Sequence, residues 1–418
     1  MQKRWYTRLD WLTLVLWAAI VCFGLVAIYS ATHGPASEFL LLTVQNNFSR
    51  QLVWACVSFG VMLVILLLPA RFFQTMAYPA YAMCMLLIVA ALLFGREING
   101  ARSWLFIGPI SLQSSELAKV GTILAIAHLF GSAREQASVL GRTFLGVGLL
   151  LLPAALIILQ NDTGTALVFV GAAPFILFWS GIPLSIVAIL VSPPIAGYLA
   201  VVHLPTAIAF SVLFAIAMFF GTHQRGIATA SLVIAGGTAG LAGFALTKLL
   251  QPHQVARIVS FLDPEAYRFT SGFHVIQARA AIGSGGLTGK GFMQGTQTQM
   301  AFVPEQSTDF VFSVIGEEFG FIGSFGLLCL LGFLMVRLIL LGTQSRHAFP
   351  VLFAAGTVGI LFVHVLINVG MTVGVMPVIG IPLPFVSYGG SALVANTTLL
   401  AIILNLNMRR DEFPRYAI

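Results

Sequence analysis

The feature that most constrains this chain is a succession of apolar runs, each about 17–25 residues long, recurring from residue 11 to residue 408. Coiled into an α-helix, a run of that length matches the hydrocarbon thickness of a bilayer. The strands of a membrane barrel would alternate polar and apolar residues, and these runs do not alternate. Only 8% of the 418 residues are charged, against roughly 25% in soluble domains. So little charge cannot cover a water-facing surface. The sequence therefore predicts an all-α fold, a polytopic transmembrane bundle of about 10–12 spans. It reads as one integral membrane domain over 1–418, with a large external loop at 251–308.

Lys3, Arg4 and Arg8 precede the first run, at 11–31, and place the N-terminus in the cytoplasm by the positive-inside rule. No small-residue cleavage site follows that run, so it reads as a retained first helix. Further runs lie near 51–69, 76–94, the segment after 119, 143–159, 165–180, 183–202, 205–220, 227–250, 309–340, 350–373 and 387–408. The pair near 183–220 is interrupted by proline. Arg71, Arg134, Arg142, Arg225, Arg337 and Arg346 fall between runs on the cytoplasmic side, and Arg409, Arg410 and Arg415 close the chain there. The polar intervals at 33–50, 95–119 and 253–318 then face outward.

This placement accounts for the net charge of +7 without invoking nucleic acid. No Walker A or GxGxxG motif occurs, which argues against an ATP-driven pump. Cys22, Cys56, Cys84 and Cys329 sit in apolar runs without metal-ligand spacing and read as small buried hydrophobes.

The chemistry concentrates at 253–318, where Arg257, Arg268, Arg279 and Lys290 stand against Asp263, Glu265, Glu305, Asp309, Glu317 and Glu318. Its run IGSGGLTGKG at 282–291 lets backbone amides approach an anion, and with Arg279 and Lys290 it points to a phosphate-bearing ligand. A helix starting at Asp309 would carry Glu317 and Glu318 about 12–14 Å below its start, near mid-membrane, where two carboxylates need partners or a proton.

Upstream, Glu116 and Lys119 share one helical face. They read either as a neutralising ion pair or as a polar floor on which Lys119 meets an anionic group. Asp162 and Thr165 fit a helix-mouth site or a plain cap. The Pro- and Gly-broken segment MPVIGIPLPFVSYGGS at 376–391 needs protein or water to satisfy its backbone. His364 and Asn368 share the helical face just before it.

Taken in order, GARSWLFIG (100–108), QSSELAK (113–119), DTGTA (162–166), FLDP (261–264), AIGSGGLTGKG (281–291), GTQTQMAFVPEQSTDFVFSVIGEE (295–318) and GIPLPFVSYGGS (380–391) resemble the SEDS family of shape, elongation, division and sporulation proteins. FLDP, GTQTQ and GIPLPF look more like its elongation branch than its division branch. The resemblance spans nearly the whole chain. It implies a peptidoglycan glycosyltransferase of the bacterial cytoplasmic membrane that polymerises lipid II outside. It also implies a class B penicillin-binding protein as transpeptidase partner.

Such a reaction needs cations for a diphosphate and a base for the acceptor hydroxyl. The candidates for substrate contact are Arg102, Glu116, Lys119, Arg257, Arg279, Lys290 and Asp309. No cofactor is called for, and a divalent cation is the one addition left open.

The chain departs from the family twice. An extra helical pair near 203–247 is inserted, an even number that keeps later segments on their expected side. In the family pattern D-P-x-x-D-P-x-G-x-G-Y, whose second Asp carries catalysis, Tyr267 occupies that Asp position. Three readings follow: Asp263 or Glu265 serves as base, Glu317 serves as base, or the chain is a scaffold for its partner. A lipid II flippase, which needs no external base, is the further alternative. Tyr267 itself makes a poor base, since a phenol ordinarily titrates near pH ~10.

Overall fold

The computed structural model describes residues 8–35, 41–98, 100–108, 110–131, 139–244, 260–261, 267, 272–345 and 347–412. It is an α-helical bundle with one small sheet. The helices are α1 (Trp11–Thr32), α2 (Leu42–Gln45), α3 (Asn47–Leu67), α4 (Ala70–Thr75), α5 (Ala77–Phe94), α6 (Ser114–Gly131), α7 (Val139–Leu159), α8 (Thr163–Trp179), α9 (Leu184–Val202), α10 (Leu204–Thr222) and α11 (Arg225–Phe244). They continue with α12 (Phe273–Gly285), α13 (Thr296–Gln299), α14 (Val311–Glu318), α15 (Gly320–Thr343), α16 (Ala348–Thr372) and α17 (Gly390–Met408). Between α5 and α6, β1 (Arg96–Ile98), β2 (Ala101–Ile107) and β3 (Ile110–Gln113) form an antiparallel sheet in the order β1-β2-β3. Apolarity alone does not announce that sheet, and it turns the expected polar interval at 95–119 into a structured cap.

Among the described residues, nine helices are long and apolar enough to cross a membrane: α1, α3, α5, α7, α9, α10, α15, α16 and α17. Three more apolar segments from the sequence are also helical, α6, α8 and α11. The α8 helix is apolar but shorter, and α6 carries Glu116 and Lys119. Prolines at 153, 174, 193 and 194 lie inside α7, α8 and α9, as neighbouring groups in a membrane bundle permit. Cys22, Cys56 and Cys329 are exposed on helix surfaces and only Cys84 is buried. That corrects the expectation of four buried thiols: an apolar run in a bilayer can turn a small side chain outward as readily as inward.

By its packing the chain divides into two compact units. The larger comprises 1–176 and 274–418, the smaller 177–273. In the smaller unit α9, α10 and α11 pack against one another. In the larger, α16 and α17 are the centre: 78% and 83% of their apolar windows are buried, against 28% for α3 and α5. The α17 helix packs on α3, α6, α15 and α16.

Polar side chains tie one end of this unit together. Asp10 caps α1 by accepting from the Thr13 amide at 3.0 Å and pairs with Arg337 of α15. Arg8 pairs with Asp411, and Asn405 donates to the carbonyls of Ile65 and Leu68 at 2.8 Å each. Arg410 reaches Gln344. The start of α1 and the ends of α3, α15 and α17 therefore share one end of the bundle.

The segment before α17 shows how a broken backbone survives among apolar helices. Gln51 donates to the Ser387 carbonyl and accepts from the Gly389 amide at 3.1 Å. The Tyr388 amide donates to the Ser307 carbonyl at 2.9 Å. Asn368 donates to the carbonyls of Ile381 and Asp309, at 2.7 and 2.8 Å. Protein groups thus replace the water that this segment would otherwise need.

Candidate active site

The single helix expected over 309–340 is split. The α14 helix stops at Glu318, and the 24-residue α15 begins at Gly320, whose φ is +65°. At 1.5 Å per residue α15 alone is about 36 Å long, enough for a hydrocarbon core of about 30 Å. Glu317 and Glu318 therefore precede the spanning helix rather than lying in its middle.

The glycine-rich run makes the split workable. The amides of Lys290 and Gly291 donate at 3.0 Å to the carbonyls of Glu317 and Glu318, which the end of α14 would leave unpaired. In return the carbonyls of Gly286 and Leu287 accept from the first amides of α15, Phe321 and Ile322, at 2.9 and 3.0 Å. Backbones meet this closely because Gly289 (φ +80°) and Gly320 carry no side chain. A Cβ on Gly289 would run into the Glu318 carbonyl, and one on Gly320 into the Gly289 amide. Two of the amides that the sequence offers to an anion, those of Lys290 and Gly291, are here spent on the end of α14. Gly289→Ala should lower the melting temperature of the purified protein by roughly 5 °C or more, since strain of about 2 kcal/mol adds to the clash. A shift within about 1 °C in a thermal-unfolding scan would remove the splice from this account.

Glu317 is fully buried. Its Oε1 accepts from Lys290 Nζ at 2.7 Å, the Gln297 amide at 2.9 Å and Thr296 Oγ1 at 3.2 Å, and its Oε2 accepts from the Thr298 amide at 2.9 Å. Burial pushes its carboxyl up, but Lys290 and the two amides outweigh burial and hold it at about 2. Lys290 also donates to Thr296 Oγ1 at 2.7 Å. Both side chains are engaged in fixing the 290–299 loop.

Glu116 and Lys119 form a buried ion pair at 2.6 Å in α6, with Lys119 fully enclosed. Lys119 Nζ lies 2.9 Å from His364 Nε2, and His364 Nδ1 lies 3.1 Å from the Pro382 carbonyl. Nδ1 therefore donates to Pro382, and Nε2 accepts from the ammonium. The triad links α6, α16 and the broken segment, and it uses the lysine from inside the protein. Asp162 accepts from the Thr165 amide at 3.1 Å, the N-cap of α8, and from Gln113 at 3.0 Å.

Arg279 on α12 is exposed, its side chain lying over Gly374 (φ +78°), with no hydrogen-bond or ion-pair partner among the described residues. Arg102 on β2 is largely exposed and only loosely paired with Glu97, at 3.5 Å. Asp309 faces Gly380, where an added Cβ would lie 3.1 Å from Oδ2. Tyr267 is exposed. Asp263, Glu265 and Arg257 lie outside the described residues.

The sequence reading did not single out Ser30, Gln299 and Gln306. Gln299 Nε2 donates to Ser30 Oγ and to Glu318 Oε1, both at 2.8 Å, and Gln306 donates to the Ala31 carbonyl at 2.7 Å. No local pattern marks three neutral residues that meet only across the fold. His274 is stacked on Phe310 with ring centroids 6.0 Å apart; burial holds its imidazole below the ordinary value, with nearby Glu305 opposing. No group of three or more His, Cys, Asp or Glu among the described residues is placed to hold a metal.

The helical bundle is that of a known class of membrane protein. The chain belongs to the Cell cycle protein family, FTSW_RODA_SPOVE, which it matches over residues 10–210 and 199–412. The two matches overlap where the sequence places the start of an extra helical pair. Peptidoglycan glycosyltransferase RodA of Treponema pallidum is 32% identical, over 98% of this chain and 100% of that protein. Peptidoglycan glycosyltransferase MrdB of Escherichia coli K12 is 30% identical, over 98% and 96%. Among solved structures, a chain of a peptidoglycan synthase complex that coordinates polymerization and crosslinking superposes with a TM-score of 0.72 at 32% identity, over 97% of this chain and 99% of that one. The rod shape determining protein RodA of Thermus thermophilus gives 0.62 at 29% identity, over 96% and 97%. The chain is thus a multi-pass membrane protein with the fold of these relatives.

Proposed function

We propose that this chain is a peptidoglycan glycosyltransferase that polymerises lipid II into glycan strands during cell elongation. The observation that carries this reading is the likeness to the RodA and MrdB glycosyltransferases, which runs through 98% of the chain. In this reading the end of the bundle bearing Arg8, Arg337, Arg409 and Arg410 lies in the cytoplasm, as positive charge prefers. About twelve crossings then return both termini there, and the sheet, the spliced loop and the 251–308 region face outward. The membrane is the bacterial inner membrane. A class B penicillin-binding protein supplies the crosslinking step, by analogy with the synthase complex that this fold resembles.

The chemistry follows from which groups are left available. A base takes the proton of the acceptor sugar hydroxyl, whose oxygen attacks the anomeric carbon as the lipid diphosphate leaves with its bonding pair. Arg279, exposed and without a partner among the described residues, and Arg102, only loosely held by Glu97, suit the diphosphate, joined by Arg257. Lys119 and Lys290 act through the carboxylates they hold, and Asp309 borders the broken segment. Glu317, held at about 2 and surrounded by donors, is a poor proton acceptor at neutral pH. The base is Asp263, with Glu265 the alternate in the same loop.

Tyr267 supports a second reading, in which the chain is a scaffold for an active partner. Incubating the purified protein and its transpeptidase partner with labelled lipid II, and resolving the products on a gel, decides between them. A ladder of strands is expected. No product, under conditions where a relative with the aspartate is active, would establish the scaffold. Repeating the assay with a chelator tests for a divalent cation.

A further inference from the structure

The end of α14 holds two consecutive carboxylates, both buried, with one lysine between them. Lys290 Nζ sits on Glu317 Oε1 at 2.7 Å, and Glu317 takes up the nearby amides as well. Glu318, only 1% exposed, has a different environment. Its Oε1 accepts from Ser30 Oγ and from Gln299 Nε2, while its Oε2 has no hydrogen-bond partner among the described residues.

The elements packed around Glu318 bring it mainly neutral donors. The α1 helix offers the Ser30 hydroxyl, α13 offers the Gln299 amide, and the 290–293 loop offers the Met293 amide together with Lys290, which is already held by Glu317. On its own helix the only charge acting on it is Glu317, and that one repels. The C-terminal end of a helix is also the negative end of its dipole. A second ionised carboxylate in this setting has burial, a like charge and the dipole against it, and one lysine cannot neutralise both. Burial, helped by Glu317, raises the Glu318 carboxyl above its ordinary 4.5 against the opposing pull of the Ser30, Gln299 and Met293 donors.

We infer that Glu318 is a protonated latch: a positioning residue that, as the neutral acid, joins the outer end of α1 to the 290–299 loop and keeps the substrate-side loops in register. The contacts support this assignment. Ser30 Oγ bridges Gln299 and Glu318, Gln299 also donates to the Ser30 carbonyl at 3.2 Å, and Gln306 holds Ala31. Glu318 thereby joins three elements that the backbone leaves separate. Loss of its proton would place two negative charges side by side in a dry site and weaken the joint.

The inference rests on the glycosyltransferase reading for its activity readout, but it has a second readout that does not. The full chain with its transpeptidase partner is compared with its Glu318→Gln variant, which keeps the shape and the neutral state. Strand synthesis and melting temperature are followed from about pH 5 to about pH 9. Because the folded state binds its proton more tightly than the unfolded chain, wild-type stability falls as pH rises from 4.5 towards the raised folded value and is level beyond it. The variant lacks this loss. Its melting temperature is expected to gain on that of the wild type across the window and to equal or exceed it at the highest pH. Wild-type synthesis should decline as pH rises through the raised folded value, with the variant retaining about threefold more of its own maximum at the highest pH.

Parallel melting curves and superimposable activity profiles would overturn the latch, as would a folded variant that is inactive at every pH. If the wild type makes no strands, the glycosyltransferase reading fails, and the melting curves alone still decide the protonation of Glu318.

Discussion

Replacing Asp263 by alanine is expected to lower glycan-strand synthesis at least about a hundredfold while leaving assembly with the partner intact. The magnitude is that of a general base in a transfer whose nucleophile is a neutral sugar hydroxyl. Tyr267 sharpens the test. The position that carries the carboxylate in the family pattern holds a phenol here, so the proton has to go elsewhere, and Asp263 stands four residues upstream. Glu265→Gln in parallel separates the two loop acids: a base at Glu265 would reverse the ranking of the variants. Normal synthesis by Asp263→Ala would sink the assignment outright. Copurification with the transpeptidase shows that any loss is chemical rather than structural.

Replacing Lys119 by methionine is expected to cost about 3–5 kcal/mol, because it leaves Glu116 buried without its cation. The stem of the lysine is kept, so packing changes little, and the loss reports charge. Glu116→Gln combined with Lys119→Met removes both charges and should recover most of the stability, as neutral replacements of buried pairs often do. Thermal unfolding of the two single variants and the double variant forms a cycle whose coupling term measures the pair. A single variant that melts within about 2 °C of the wild type would mean that water reaches Glu116 and that Lys119 is not the enclosed partner described above.

The architecture was legible wherever it depends on composition along the chain. Runs of apolar residues became helices at nearly their expected positions, and Arg8, Arg337, Arg409 and Arg410 meet at one end of the larger unit. What the sequence could not show depends on the third dimension. An unbroken apolar reading over 309–340 hid the stop at Glu318, because the signal for it lies about 30 residues upstream, in glycines at 285–289 whose backbone meets that of Gly320.

The glycine run itself invited a reading as an anion cradle, since sequence shows that amides are free to approach something but not what they approach. Glu116 and Lys119 were rightly paired by spacing. Their seclusion, and the His364 imidazole behind them, required α16 and the broken segment to be in place. Arg279 stands out for the opposite reason: the fold leaves it nothing to bind among the described residues.

The splice at Gly320 has a mechanical corollary. The α15 helix is fastened at both ends, by a backbone join to the loop at Gly286–Gly291 and, some four turns along, by the guanidinium of Arg337 on Asp10. A helix fixed in this way behaves as a strut with two bolted ends. A tilt that leaves the Asp10 bolt seated must move the loop, and a displacement of the loop must load the clamp at Asp10. The two surfaces of the bundle are thus connected by one stiff member, and displacement at either is felt at the other without any change in the helices between.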